Sequence, residues 1–161
     1  MNLTFYEDSF SSVINRYTIT DEQLRYTVSP IEAIQLAKED KDRFPILALE
    51  NDRLVTFFVL HRNEGVRAYS SNENSILIRS FSTDFYQQGK GFAKRVLLLL
   101  PAFVRCHFQE VNELVLAVNV GNDVAKRLYE SCGFVDNGVR IMGIKGELIV
   151  MSYYLKSDDT F

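Results

Sequence analysis

The chain is short of everything that would tie it to an export route, a membrane or a nucleic acid. It has only two cysteines, Cys106 and Cys132. They are too few for a disulfide framework and lack metal-site spacing, which fits buried thiols in a reducing compartment. Basic charge is not in excess: 18 Lys and Arg against 21 Asp and Glu give a formal net charge of -3. No stretch clusters cations as phosphate neutralisation requires, so no nucleic-acid partner is expected. The longest apolar run, Val96 to Val104, is broken by Pro101 and falls far short of a membrane span. The opening MNLTFYEDSFSSV has no basic region ahead of an apolar block, so no signal peptide is expected and a cytoplasmic location follows. There is no internal repeat, low-complexity tract or Pro/Gly/Ser linker. At 161 residues, 47% of them apolar, the chain is long enough to bury a core, and residues 1–161 are expected to form one domain.

What is present is an ordered series of periodic segments. Residues 3–27 read as helical pieces with caps at Thr20 and Asp21. Ser29 before Pro30 is an N-cap followed by proline at the first helical position, and Ile31, Ile34 and Leu36 continue a helix that Pro45 should stop. In ILALENDRLVTFFVL, Asn51 and Asp52 separate two apolar runs as a two-residue hairpin turn would. Residues 62–74 read as a loop, and SILIRSFST (75–83) as a strand. Phe92, Val96, Leu99, Leu100 and Phe103 recur at helical spacing, so a helix runs from Gly91 to about His107, with a kink expected at Pro101. ELVLAVNV (113–120) is nearly continuous in apolar residues, as suits a strand buried on both faces. Strand, helix and strand with this crossover length imply a parallel pair. Asn122 caps a further helix with Val124, Leu128 and Cys132 toward the core and Gly133 at its end. Two last strands, near 134–142 and 147–155, turn around Lys145 and Gly146. The expected class is α/β: an antiparallel N-terminal part joined to one parallel βαβ unit.

The segment FYQQGKGFAKRV (85–96) carries the chemistry. The first amides of a helix have no partners within it and sit at the positive end of its dipole, so an anion there satisfies both. Gly89 and Gly91 remove the Cβ atoms that would hold an anion away, and Lys90 and Lys94 add mobile positive charge. A Walker loop would need Lys-Ser/Thr after its last glycine, where this chain has Phe92. A dinucleotide fingerprint would need glycine where Lys94 stands. A glycine turn that merely connects strand and helix stays open on local sequence.

Gln88-Gly89-Lys90-Gly91-Phe92-Ala93 matches Q/R-x-x-G-x-G/A, and NVGNDVAKRLYESCGF (119–134) matches N-x-x-N-x-x-A-x-x-L-Y-E-x-x-G-F. In that order and spacing the two segments resemble the GNAT superfamily of N-acetyltransferases, especially bacterial single-domain members that acetylate small amines. The likeness runs from about Ile46 to Leu155. It implies a GNAT-like mixed, mostly antiparallel sheet whose central parallel strands splay, with a β-bulge in the strand before the loop. It implies acetyl-CoA as donor, its pantetheine arm bonded to the backbone of Phe81, Ser82 and Thr83 and its diphosphate held by Gln88, Gly89, Lys90, Gly91, Phe92, Ala93 and Lys94. Asn119, Asn122 and Lys126 would meet it from the following strand and helix.

The acid expected to protonate the departing thiolate is Tyr129, four residues after Ala125 on one helix face and placed by the L-Y-E context. A backbone amide near Phe81 would meet the oxyanion. Many relatives carry a glutamate base on the strand that here reads ILIRSFS, which has no carboxylate; Glu73, Asp84, His61 or a water chain are left as proton acceptors, and Arg79 would face solvent or an acidic part of the substrate. The acceptor expected is a small primary amine such as a polyamine, drawn by Asp21, Glu22, Glu73 or Glu130. Protein N-termini or lysines as acceptors, and a non-catalytic acyl-CoA-binding module, are the alternatives. The habit of the family and the apolar Ile149, Met151 and Tyr153 leave room for a homodimer, though those three residues equally suit the core.

Overall fold

A computed structural model describes residues 1–155. Its elements, in order, are β1 (Asn2–Phe5), α1 (Ser11–Asn15), α2 (Pro30–Lys38), β2 (Arg43–Glu50), β3 (Arg53–His61), α3 (Glu64–Arg67), β4 (Ser75–Thr83), α4 (Phe92–His107), β5 (Glu113–Asn119), α5 (Asp123–Ser131), β6 (Val135–Gly143) and β7 (Gly146–Tyr154), with short 3-10 turns at Asp8–Phe10, Gln23–Arg25 and Phe85–Gln87. The strands form one seven-stranded sheet in the order β1-β2-β3-β4-β5-β7-β6. Every pairing is antiparallel except β4 with β5. Among the described residues no helix is long and apolar enough to cross a membrane.

Both faces of the sheet are covered, which is why its middle strands read as continuous apolar runs. Successive strand residues point to opposite faces. Phe58 and Leu60 therefore join Val96, Leu97, Leu100 and Val104 of α4 in one cluster, to which α5 adds Ala125, Leu128 and Tyr129. Phe57 and Val59 pack on the other face with Ile14 of α1 and Ala33 and Ile34 of α2. Under α3, Val66 meets Leu77, Val115 and Val150. Burying a side chain such as Phe57 or Phe58 contributes on the order of 1.5–3 kcal/mol.

The hairpin turn forms as its residues demand: Asn51 and Asp52 both take positive φ, 52° and 64°, and Glu50 pairs with Arg53. Ser29 caps α2, its Oγ accepting from the Glu32 amide at 3.2 Å.

Several expectations need correction. The stretch 3–27 opens with β1 rather than a helix, because four residues can hydrogen-bond along β2 in the register Asn2↔Leu49 to Phe5↔Ile46, a long-range choice invisible to local periodicity. Pro45 lies inside β2, one residue past that ladder's last pair; its carbonyl still accepts from the Tyr6 amide at 2.9 Å, and the pairing ends where its N–H is missing. Ile31 and Leu36 are exposed while Ala33 and Ile34 face the core, so α2 is rotated from the face expected. Val124 is 79% exposed and does not lie on the core side of α5. Residues 62–74 include the short helix α3. Ile149 and Met151 are buried, and Tyr153 packs against the same core, so they present no surface for a second copy.

Gly65 in α3 lies over the His61 ring: a Cβ there would sit 2.3 Å from three ring atoms. Gly65→Ala is expected to lower stability by about 1–3 kcal/mol, as overpacking does, read as an earlier midpoint in urea unfolding.

Candidate active site

The site begins with a defect in the sheet. Strands β4 and β5 are paired only from Ser75↔Glu113 to Ile78↔Leu116. Beyond that, β5 continues to Asn119 on β7, and β4 continues to Thr83 on β3. The parting is accompanied by a bulge in β4: Phe57 faces Ser82 and Val59 faces Arg79, so Ser80 and Phe81 together oppose Phe58. Ser80 takes φ +56°, a left-handed conformation that costs a non-glycine residue about 1 kcal/mol or more. Strain of this kind, held by buried strands on either side, turns the end of β4 away from its parallel neighbour.

A cavity of about 660 Å³ opens in the gap. Its long walls are Ile78 to Thr83 of β4 and Leu116 to Asn119 of β5. At one end lies the glycine loop. Gly89 and Gly91 have φ of 77° and 80°, and a Cβ on either would meet nothing within 4 Å. Gly91 is the N-cap of α4 and no side chain caps the helix, so its first-turn amides are left for a ligand. The opposite wall comes from α5, whose N-cap Asn122 accepts from the Ala125 amide at 3.2 Å, and which places Val124, Ala125, Leu128 and Tyr129 on the cavity.

The remaining wall, Thr20 to Thr27, belongs to the N-terminal segment and includes Glu22, one of the carboxylates expected near the opening, while the contacts that hold it in place are not legible in the local sequence. It is tied to the end of β4 by long-range bonds. Asp84 accepts from the Tyr86 amide at 2.9 Å and the Thr18 amide at 3.0 Å; Gln23 Nε2 donates to the Thr83 carbonyl at 2.8 Å; and the Tyr17 hydroxyl lies 2.7 Å from Ser82 Oγ, with burial pushing the phenol's pKa up. Thr20 and Gln23 bond each other reciprocally as a capping box, the one local signal for this wall. Lys145, in the β6–β7 turn, clamps the far end by donating to the Leu24 and Thr27 carbonyls at 2.6 and 3.1 Å. The Thr27 hydroxyl oxygen is buried without a partner on this wall.

Of the expected site residues, Phe81, Ser82, Thr83, Gln88, Gly89, Gly91, Phe92, Ala93, Lys94, Asn119, Asn122 and Tyr129 all line this cavity. Lys90 and Lys126 are not among its lining: Lys90 donates to Gln87 Oε1 at 3.0 Å, and Lys126 lies 3.8 Å from Asp136. The Asn119 amide is engaged with the Gly121 amide and the Lys145 carbonyl, so it shapes the turn.

Tyr129 packs edge-on against Phe81 and Phe134, with centroids 6.3 and 6.1 Å away. Burial pushes its phenol up to about 12, so it holds its proton throughout the neutral range. Glu22 is the one carboxylate that lines the cavity among the described residues; it is exposed and paired with Arg25 at 3.0 Å. The side chains expected as proton acceptors are placed elsewhere or are engaged. Both Asp84 oxygens hold backbone amides. Glu73 is outside the lining. His61 Nδ1 accepts from Arg79 Nη1 at 3.2 Å, which leaves its Nε2–H to donate to Asp40 Oδ2 at 3.0 Å. Burial, with Arg43 and Arg79 nearby, holds the imidazole below its usual pKa and therefore neutral.

A mostly antiparallel sheet, split at its single parallel pair and flanked by an uncapped helix behind a glycine loop, is the frame of an acyl-CoA acyltransferase. The profile of the Acetyltransferase (GNAT) family matches residues 7–134. A protein of Bacillus subtilis (strain 168) described as "Uncharacterized N-acetyltransferase YbbJ" is 38% identical over 156 residues, covering 96% of this chain and 98% of that protein. The chain belongs to the GNAT family and is an acetyltransferase. Among solved structures, aminoglycoside acetyltransferase AAC(6')-Ib in complex with paromomycin and acetyl-CoA superposes with a TM-score of 0.75 at 14% identity, covering 94% of this chain and 92% of that one. A spermidine N-acetyltransferase SpeG chimera from Vibrio cholerae and hSSAT gives 0.66 at 21% identity, covering 96% of each. Both likenesses are of fold.

Asp84→Asn leaves one backbone amide facing an NH2 group instead of an oxygen. A loss of about 1–3 kcal/mol is expected, measured by urea unfolding, together with faster amide exchange at Thr18 where the acceptor wall meets β4.

Proposed function

We propose that the protein transfers the acetyl group of acetyl-CoA directly to a primary amine of a small molecule. The observation that carries this is the continuity of the cavity: one space runs from the uncapped amides of α4, through the β4–β5 gap, to the wall of residues 20–27. The residues present fit the donor. Uncapped amides and open space beyond Gly89 and Gly91 suit a diphosphate, with Lys94 adding charge. Past Ile78, β4 has no parallel partner, so the backbone of Phe81 and Ser82 lacks a strand on that side and suits pairing with an extended amide-bearing arm, while the Thr83 carbonyl is already held by Gln23. Parts of relatives support the two halves: AAC(6')-Ib is a complex with acetyl-CoA, and both neighbours are named for amine substrates.

In the transfer, the amine nitrogen bonds to the thioester carbonyl carbon, and charge develops on the carbonyl oxygen. An amide of the bulged strand near Phe81 is positioned to stabilise that charge, being fixed before reaction. The carbon–sulfur bond then breaks and the thiolate takes the Tyr129 proton, while the proton that the attacking nitrogen sheds on becoming an amide passes through water and restores the phenol. A phenol near 12 is a weak acid against a thiol of ~8.5, but a thiolate formed in the same desolvated gap has its own pKa raised, which narrows the difference. The amine's proton must leave before attack. Since Glu22 is the sole lining carboxylate and is open to solvent, water carries that proton away.

The wall offers little to a polyamine, whose several cations would want several carboxylates. The acceptor is accordingly a small amine of lower positive charge.

Tyr129→Phe is expected to lower kcat by about 10²- to 10⁴-fold while acetyl-CoA affinity by calorimetry stays close to that of the unaltered protein; unaltered turnover would remove Tyr129 from the mechanism. The pH profile follows from the same groups. Thiol release at saturating donor should climb between about pH 6 and 10 as the acceptor amine loses its proton, with no descending limb in that range because the acid does not titrate until about 12.

A further inference from the structure

We propose that the acceptor amine also carries a small oxyanion, a carboxylate or a phosphate, and that Arg79 binds it. The inference rests on the acetyl-transfer function above and specifies its substrate class. Arg79 is the first residue past the last β4–β5 pair, at the apex where the strands part, and it lines the cavity. Its side chain reaches His61 on the sheet face of α1, α2 and α3, opposite α4, so it is separate from the helix end suited to the diphosphate.

A guanidinium has five N–H donors. Here one of them meets His61 Nδ1, and among the described residues the rest have no protein partner. The group is largely buried, and desolvation, with Arg43 nearby, works against its charge. The charge balance around it is also incomplete. Asp40 is the one carboxylate in the cluster, and it is already taken by His61, by Arg43 Nε at 3.3 Å and by the Asp42 amide at 3.0 Å. Neutral His61 stands between Asp40 and Arg79, so Arg43 and Arg79 share the field of one carboxylate and, among the described residues, no carboxylate touches Arg79 directly.

The anchoring is rigid. His61 is 4% exposed and α3 presses on its ring through Gly65, so Arg79 is held by a fixed imidazole while its free donors keep a planar fork for an oxyanion. A half-desolvated arginine with spare donors is costly unless a ligand completes it, and Arg79 lines the same cavity as the β4–β5 gap.

The test is calorimetry on CoA-loaded protein with a matched series: an α-amino acid, its carboxamide, its decarboxylated amine, and an aminoalkyl phosphate. At least one oxyanion-bearing amine should bind about tenfold or more tighter than the carboxamide and the plain amine, as a charge-assisted bond implies, and the carboxylate and phosphate arms tell the two sources apart. Arg79→Gln should erase the discrimination and Arg79→Lys should keep part of it, with the heat of CoA binding reporting that each variant is folded. Equal or tighter binding of the uncharged partners, no binding by any oxyanion-bearing amine, or a preference that survives Arg79→Gln would overturn the proposal. Absence of CoA binding in the unaltered protein would instead overturn the acetyl-transfer function, and this inference with it.

Discussion

The structure turns on two parallel strands that stop pairing while still inside the molecule. After Ile78 and Leu116, β4 and β5 each keep an antiparallel partner on the outer side and lose the one between them. Backbone donors and acceptors left unpaired in a protein interior are costly, so such a gap persists only where it is held open or filled. Here it is held open by the Ser80–Phe81 bulge on one side and by the β5–β7 ladder on the other. A strand-like ligand inserted there would receive the bonds that the sheet withholds.

The elements around the gap divide the work by sheet face. Helix α4 supplies an uncapped end behind glycines with room beyond them, and α5 supplies a buried phenol that keeps its proton. The N-terminal segment closes the far wall, but only because Asp84, Gln23 and Tyr17 bind it to the end of β4 and Lys145 clamps it from the β6–β7 turn. On the side of α1 to α3, Arg79, His61 and Asp40 form a chain of polar contacts leading from the apex of the gap toward the surface. The same sheet thus presents the proposed donor and acceptor ends to one cavity from different directions.

Most of the sheet and the donor end were legible in the chain because their causes are local. Asn51 and Asp52 accept positive φ, glycines at 89 and 91 permit the loop, and Asn122 caps α5; each works through a side chain and its immediate neighbours. β1, the rotation of α2 and the place of Pro45 were not legible, because each depends on a partner some forty residues away or on which face of a helix happens to meet the sheet. The same holds for the acceptor wall. Gln23 looks like half of a capping box, and nothing nearby announces its bond to the Thr83 carbonyl.

The frame of the proposed donor end is written in short stretches of residues: an order of strand, glycine loop, helix and strand, plus the N-x-x-N and L-Y-E-x-x-G-F spacing, encodes conformations that a short segment can adopt alone. How the proposed acceptor end is charged emerges on folding. Whether Arg79 is a solvated strand residue or a half-buried cation with spare donors depends on His61, Asp40 and Gly65, which come from three other parts of the chain. Electrostatic character of this sort is a property of burial and of distant neighbours, and neither is written in any one stretch of residues.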